Sequence, residues 1–315
     1  MDEDYYPIGS QTVIPGTAVP FDIFSKGTEN MVLCCKSGDN IREETLKKIY
    51  ENNITELYIR KLNKKYYFLY LEEILETIIH DPDISISVKA KTTYNAIMNL
   101  ASNLFKTSHI ELELIQRYKH TIYDITEFIL NEYDALKSLI NLTTFDYSIC
   151  NHSVNVGIFS MGLAKELFKN IHDYDFEDIT AGFFLHDIGK TTISQDILNK
   201  RKQLSKADWA IIKKHPVEGV KILKKFDEQT EVINDIILQH HERLDGRGYP
   251  KGLKGNQINL FSKICSIADT FDGLTSYRPY RKEKSTFIAL KIMKNEMFKD
   301  FEPGFFAKFV KLLSN

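Results

Sequence analysis

Beyond residue 83, the apolar residues of this chain recur with the period of an α-helix. Two stripes come first, at Ile97, Leu100, Ala101, Leu104 and Phe105 and then at Ile115, Tyr118, Ile122, Ile125 and Ile129. Further helical patterns cover residues 150–168, 176–187, 206–226, 230–242, 259–275 and 286–298. Since each apolar stripe must be buried against another element, the pattern predicts an all-α helical bundle for this part of the chain.

The first 80 residues carry a different pattern. Strand-like segments at residues 18–25, 31–36 and 56–60 accompany a predicted helix from residue 40 to about 52, which Asn40 and Glu43 would open as an N-cap pair. Asp81-Pro82-Asp83 then interrupts the chain, because proline disfavours helix in the residue before it. We therefore predict an α+β protein, with a small N-terminal α/β domain at residues 1–80, linking helices at 81–143 and a helical domain at 144–315. The first domain would be either regulatory or partner-docking, or a stabilising cover for the second.

Composition narrows the class of protein. The 315 residues are 43% hydrophobic and carry a net charge of only −2, which predicts a folded protein that does not bind nucleic acid polymers through its overall charge. No apolar run reaches the roughly 20 residues of a membrane span, and Met1-Asp2-Glu3-Asp4 lacks the basic start of a signal peptide. We expect a cytoplasmic protein that is not membrane-bound. Its four cysteines have no metal-binding spacing and are expected to be reduced thiols.

The segment Leu185-His186-Asp187-Ile188-Gly189-Lys190 brings an imidazole, a carboxylate and an ammonium together within five residues. His186 and Asp187 would lie at the end of the helix 176–187, and Gly189 is expected to end it, as glycine at C′ commonly does. These three polar residue types suit a metal site that handles phosphate. By itself, the segment favours an ordinary helix end, with a buried histidine, a local cap and a solvated lysine.

Five histidines favour the metal site, because each lies on or at the end of a predicted helix: His152, His186, His215, His240 and His241. Adjacent helical residues diverge by about 100°, so His240 and His241 can reach one metal only if their helix frays, and Leu244-Asp245-Gly246 provides such an ending. Asp269 and Asp272 share one face of the helix 259–275. An unpaired Asp269 would be costly to bury in this apolar helix, and a metal ion would remove that cost.

Two motifs resemble those of the HD-GYP family, cyclic-di-GMP phosphodiesterases within the HD metal-dependent phosphohydrolases. The first is His186-Asp187-Ile188-Gly189-Lys190, and the second is the run from His240 to Pro250 that contains Gly248-Tyr249-Pro250. The resemblance extends over residues 144–305. It implies an all-helical catalytic domain with a carboxylate-bridged centre of two divalent ions, iron first and manganese next. It also implies hydrolysis of cyclic-di-GMP to pGpG, with further cleavage to GMP left open.

The resemblance also implies roles for individual residues. His152, His186 and Asp269 would bind one metal, His215, His240 and His241 the second, and Asp187 would bridge both. Lys190, Arg278 and Arg281 would contact the substrate phosphates, with Asp187 and Lys190 as the catalytic residues. Gly248, Tyr249 and Pro250 would shape the site and dock diguanylate-cyclase partners. Ser148 stands where some members have a glutamate that recruits a third metal, so we predict two ions per chain.

The chemistry expected of such a centre is an in-line displacement in which a metal-bridged hydroxide attacks the phosphorus. Two other readings stay open at this point. The chain could be a catalytically weak signalling adaptor, which would have no need for seven ligands, or another HD phosphohydrolase that acts on nucleotides, which the Gly-Tyr-Pro loop disfavours. The sequence also leaves a homodimer open.

Overall fold

The protein is described by a computed structural model that covers residues 4–14, 16–27, 30–52, 54, 56–107, 109–144, 148–168, 174–198, 200, 202–276 and 283–314. It forms two compact units, Met1–Ala96 and Ile97–Asn315. The units divide inside a single helix, α3 (Ile86–Lys106). The functional boundary expected at residues 81–83 stays a prediction.

The N-terminal unit contains a four-stranded antiparallel sheet. Its strands are β1 (Tyr5–Gly9), β2 (Ile23–Lys26), β3 (Met31–Cys35) and β4 (Glu56–Arg60), in the order β1-β4-β2-β3. Tyr6 pairs with Ile59 between β1 and β4, and Phe24 pairs with Tyr58 between β2 and β4. Helices α1 (Glu43–Glu51) and α2 (Lys64–His80) belong to the same unit, whose core includes the fully buried Val19, Phe21, Ile23, Leu57, Ile59, Leu71 and Ile78.

Two features of this unit differ from the expectation. Strand β1 was not predicted, and it exists because β4 supplies its hydrogen-bonding partner from fifty residues away. The N-cap pair was wrong: α1 begins after Arg42, whose side chain makes no capping bond, while Asn40 forms an isolated antiparallel bridge with Ala18. That bridge keeps the backbone extended at Asn40, so the helix cannot begin there.

The second unit is helical, which confirms the predicted α+β class. From the end of α3 it continues through α4 (Leu112–Asn131), α5 (Ala135–Leu142), α6 (Ile149–Leu167), α7 (Phe176–Leu185), α8 (Gln195–Leu198), α9 (Lys206–Ile212), α10 (His215–Lys225), α11 (Glu231–Gln239), α12 (Leu260–Thr275), α13 (Thr286–Glu296) and α14 (Pro303–Leu312). The predicted helix 206–226 is in fact α9 and α10, separated at Lys213 and Lys214. Pro216 explains the break, since proline is tolerated in the first turn of a helix but not in its interior.

Helix α6 is the centre of this unit. It packs against α5, α7, α12 and α14, and α7 in turn packs against α4 and α11. The middle of α6 is buried on every side, which explains why Val154, Val156, Ile158 and Met161 follow no single stripe. Within the described part of the chain, no helix combines the length and hydropathy needed to cross a membrane. All four cysteines are free.

Candidate metal centre

The seven predicted ligands come from five separate helices and meet in the interior of the second unit. His152 lies in the first turn of α6, His186 and Asp187 directly follow α7, His215 begins α10, His240 and His241 directly follow α11, and Asp269 lies in α12. All but His241 are buried. The helix predicted to run to residue 242 ends earlier, since α11 stops at Gln239. The chain thus leaves the helix at the His-His pair, which is the condition under which both imidazoles can approach the same place.

Asp187 lies at the centre of this cluster. Its Oδ2 is 3.2 Å from Nε2 of His152 and 3.5 Å from Nε2 of His186. Its Oδ1 is 3.2 Å from Nε2 of His215 and 3.8 Å from Nε2 of His240. Each carboxylate oxygen therefore faces a different pair of imidazoles.

Three of the imidazoles are oriented in the same way by the backbone. The Nδ1 atoms of His186, His215 and His240 lie 2.7 to 2.8 Å from the carbonyl oxygen of the residue three positions earlier. A carbonyl can only accept a hydrogen bond, so Nδ1 carries the proton and Nε2 keeps its lone pair toward the centre of the cluster. This arrangement is the usual outer support of a metal-binding histidine.

His152 has a carboxylate in the same supporting position. Oδ2 of Asp272 lies 2.7 Å from its Nδ1, while Oδ1 accepts a hydrogen bond from the Asn155 side chain at 2.8 Å. Ser276 donates a further hydrogen bond to Oδ2 at 3.0 Å. The sequence placed Asp272 on the correct helix face but did not reveal this role. Asn155 was missed altogether, although its place one turn after His152 was the available signal.

The donor atoms form two groups that suit two metal ions. Asp187, His215, His240 and His241 make one group, His152, His186 and Asp187 make the other, and in each the donor atoms lie within 4.8 Å of one another. Nε2 of His186 and Oδ1 of Asp187 are buried and have no hydrogen bond to any described residue. Buried polar atoms of this kind are costly unless they find a partner, and a cation would provide one.

Asp269 occupies a position between the two groups. Its Oδ1 is 3.2 Å from Nε2 of His152, and its Oδ2 is 3.4 Å from Nδ1 of His241. The first contact agrees with the role that the resemblance implies for it beside His152. The second shows that the carboxylate can also reach His241.

Burial and the neighbouring charges set the protonation of the cluster. Burial lowers the pKa of His215, His240 and His241, which favours the neutral imidazole that a metal requires. Burial alone would raise the pKa of Asp187, but Lys190 and His186 hold it well below its usual value. The carboxylate is therefore ionised. Burial alone would likewise lower the pKa of His152, but its three carboxylate neighbours raise it well above the ordinary value.

Lys190 follows Asp187 on a short 3-10 helix, Ile188–Thr192. Its Nζ lies 2.5 Å from Oδ2 of Asp187, and the residue is only 8% exposed. Gly189 does not have the positive φ of a helix-ending glycine, so the prediction of a C′ role is wrong. It is glycine because a β-carbon there would collide with the carbonyl oxygen of His215. The absence of a side chain lets the His-Asp segment approach the beginning of α10.

The Gly-Tyr-Pro loop packs directly on a predicted ligand. The Tyr249 ring lies 4.6 Å from the His241 ring at an angle of 30°, and Nζ of Lys213 lies 5.3 Å from the centre of the Tyr249 ring. Burial raises the pKa of Tyr249 well above its usual value, so its hydroxyl stays protonated and is a poor metal ligand. Gly248 has no room for a side chain, because a β-carbon would collide with the backbone at Glu242. Tyr249-Pro250 is a cis peptide bond.

Glu242 organises this loop, a role that sequence reasoning missed. Its carboxylate is 2% exposed and accepts hydrogen bonds from the backbone N–H groups of Lys251, Gly252 and Leu253, at 2.7, 3.1 and 2.9 Å. The signal available in the sequence was an acidic residue directly after the two predicted ligands His240 and His241. A carboxylate so close to a buried cluster is expected to be buried as well and to need hydrogen-bond donors.

A cavity of about 390 Å³ opens beside the cluster. Lys190, His241, Tyr249 and Asp269 contribute to its polar part, and the apolar part includes Trp209. Its volume lies within the range usual for small-molecule sites, roughly 300–1,000 Å³. Arg278 and Arg281, expected at the substrate phosphates, lie outside the described residues.

Ser148 is the N-cap of α6. Its hydroxyl accepts a hydrogen bond from the backbone N–H of Asn151 at 3.0 Å, and is thereby committed to the helix end. Asp272 is the other carboxylate on the Asp269 face of α12, and its oxygens already bind His152 and Asn155. Both observations favour two ions over three.

Comparison with known proteins agrees with this geometry. The model of the HD domain family matches residues 162–303. A cyclic di-GMP phosphodiesterase of Pseudomonas aeruginosa is 35% identical over 188 residues, which cover 60% of this chain and 45% of that protein. A 3'3'-cGAMP-specific phosphodiesterase of Vibrio cholerae is 30% identical over 244 residues, which cover 78% of this chain and 49% of that protein. A cyclic di-GMP phosphodiesterase of Thermotoga maritima is also 30% identical, over 219 residues that cover 69% of this chain and 56% of that protein.

The chain spans about half the length of these curated relatives. A solved structure of an HDG"Y"P protein from Bdellovibrio bacteriovorus shares the fold over 99% of this chain and 100% of its own, with a TM-score of 0.67 and 24% identity. The family match, the histidine and aspartate cluster and the intact Gly-Tyr-Pro loop lead to one assignment. The chain carries an HD domain at residues 162–303, and its motifs and fold are similar to those of the HD-GYP branch.

Proposed function

We propose that this protein is a metal-dependent phosphodiesterase that hydrolyses cyclic-di-GMP to pGpG. The observation that carries the proposal is the position of Asp187, whose two oxygens face two separate groups of imidazoles while Lys190 lies beside it. A cavity large enough for part of a dinucleotide adjoins this cluster. The similarity to cyclic di-GMP phosphodiesterases of two bacteria supports the choice of substrate.

One divalent ion would be held by His152, His186 and Asp269. The second would be held by His215, His240 and His241, and Asp187 would bind both ions. Iron is our first expectation and manganese our second, since imidazole and carboxylate ligands without thiolate suit both. When bound, such a pair of ions supplies a water of lowered pKa and neutralises charge on the phosphate.

The side chains of the chain itself would contribute binding and orientation. Lys190 is buried next to the cluster, so its ammonium can offset negative charge that grows on the phosphate oxygens during the reaction. Asp272 and the three backbone carbonyls hold the imidazoles in one orientation before substrate arrives, which limits the reorganisation needed during the reaction. Arg278 and Arg281 stay predicted phosphate contacts.

A second candidate substrate is 3'3'-cGAMP. It is favoured by the Vibrio cholerae relative, whose similarity extends over 78% of this chain. The two cyclic dinucleotides differ in one base, and the described cluster handles the phosphodiester that they share. Docking of a diguanylate-cyclase partner through Gly248-Tyr249-Pro250 stays a prediction, as does a homodimer.

The test is to purify the protein without oxygen, measure its metal content, and separate the products formed from each cyclic dinucleotide by chromatography. We expect about two ions per chain and pGpG as the first product of cyclic-di-GMP. Protein that carries two ions but leaves both dinucleotides intact would refute the proposal. Preferential hydrolysis of 3'3'-cGAMP would replace the first substrate by the second.

A further inference from the structure

Trp209 is the only tryptophan in the sequence, and it lies in the wall of the cavity beside the metal cluster. It belongs to α9, whose beginning is held by a capping box between Ser205 and Asp208. The residue is 46% exposed, although the cavity that it lines also contains the buried Lys190. A large aromatic side chain that is open to a concave site offers a planar, apolar surface to a ligand.

The orientation of α9 directs one of its faces at the cavity. Trp209 and Ile212, three residues apart, both line it, whereas Ile211 is 42% exposed but is not part of the lining. Ile197 and Leu198 of α8 extend the same apolar surface. The cavity therefore combines two kinds of wall, one polar at the metal cluster and one apolar around Trp209.

A phosphodiester bound beside Lys190 would leave the rest of its substrate to be accommodated in this cavity. For a cyclic dinucleotide, the nearest apolar and planar part is a nucleobase. Indole and a purine both present large π faces, and stacking between an aromatic side chain and a base is a general mode of nucleotide binding that does not depend on the identity of the base.

We propose that Trp209 is the stacking surface for one base of the substrate. The inference rests on the proposed function and deepens it. Trp209 would select phosphodiesters that carry a nucleobase over those that do not, and it would not distinguish guanine from adenine. The residue is a binding residue in this scheme, since its ring contacts the base and takes no part in bond cleavage.

The single tryptophan makes a direct test feasible. Its fluorescence is followed in the metal-loaded protein during titration with GMP and, separately, with inorganic phosphate. We expect a saturable decrease in emission with GMP and none with phosphate. In steady-state kinetics with cyclic-di-GMP, Trp209→Ala should raise KM about tenfold with kcat little changed, while Trp209→Phe should show a smaller rise.

Ile211→Ala is the matched control, because it removes an equally exposed apolar side chain from the same helix outside the cavity. Its KM should equal that of the unmodified protein. Three results would each overturn the inference. They are an equal change in emission with phosphate, no change in emission with GMP, and an unchanged KM in Trp209→Ala. The titration requires no turnover, so it tests base stacking on Trp209 even if cyclic-di-GMP is not hydrolysed. Conversely, hydrolysis with an unchanged KM would reject the stacking surface and leave the proposed function standing.

Discussion

Replacement of Glu242 by glutamine is the sharpest test of how the Gly-Tyr-Pro loop is held. The carboxylate accepts three backbone hydrogen bonds, two at Oε1 and one at Oε2, and the side chain is 2% exposed. Glutamine has the same shape but only one acceptor oxygen. With that oxygen at the position of Oε1, the NH2 group of the new side chain would face the N–H of Leu253. Both groups are donors, so the hydrogen bond to Leu253 would be lost.

The expected cost can be built from these contacts. One lost partner for a largely buried N–H costs about 1–3 kcal/mol, and the two remaining bonds weaken by roughly 1 kcal/mol each when the acceptor loses its charge. Water can reach part of this loop, since Lys251 is exposed and Leu253 half-buried, which reduces the total. We therefore expect Glu242→Gln to lower the free energy of unfolding by about 2–4 kcal/mol.

The assay is urea unfolding of the metal-free protein, combined with hydrogen exchange of the amides of Lys251, Gly252 and Leu253. Exchange at these amides should accelerate, because the loss is local to the loop. Glu231→Gln is the matched control on α11, as Glu231 is exposed, and its effect should stay within about 0.5 kcal/mol. Unfolding within about 0.5 kcal/mol of the unmodified protein, with unaltered exchange at the three amides, would show that the carboxylate does not hold the loop.

Asp187→Ala should abolish hydrolysis and reduce the content of both ions, because the two groups of imidazoles lose their shared carboxylate; near-normal turnover would contradict the bridging role. Lys190→Ala should keep its metal but slow hydrolysis about 100-fold, a typical loss for one stabilising charge, and unchanged kcat would remove its phosphate role. Tyr249→Ala should retain metal content while turnover falls, since the ring packs on His241 without binding metal; loss of metal would show that the loop supports the ligand itself. Ser148→Glu should raise the metal content from two ions toward three, whereas Ser148→Ala, which also removes the α6 N-cap at a cost of about 1 kcal/mol, should not. Three ions in the unmodified protein would refute the argument from Ser148.

The helical part of the fold and the identity of the candidate ligands could be predicted from the sequence, because both depend on local information. Apolar periodicity located α6, α7, α11, α12 and α13 to within a few residues. Leu244-Asp245-Gly246 indicated that the helix 230–242 frays near His240 and His241, but α11 already ends at Gln239, and this earlier end brings both imidazoles to one group. The break between α9 and α10 was missed, because the helix 206–226 was predicted without weighing Pro216, which lies in the first turn of α10.

The contacts that orient the site could not be predicted, because they join residues far apart in the chain. Asp272 orients His152 across 120 positions, and nothing in the local pattern of either helix encodes that pairing. The same holds for Gly189, whose lack of a side chain matters only because the beginning of α10 packs against it. Periodicity shows that a residue is buried, whereas the neighbour that it meets is decided by how the helices pack. The resemblance implied that Asp187 bridges two groups of ligands, but no local pattern encodes it, and the distances from its two oxygens to the two groups of imidazoles come from the tertiary structure.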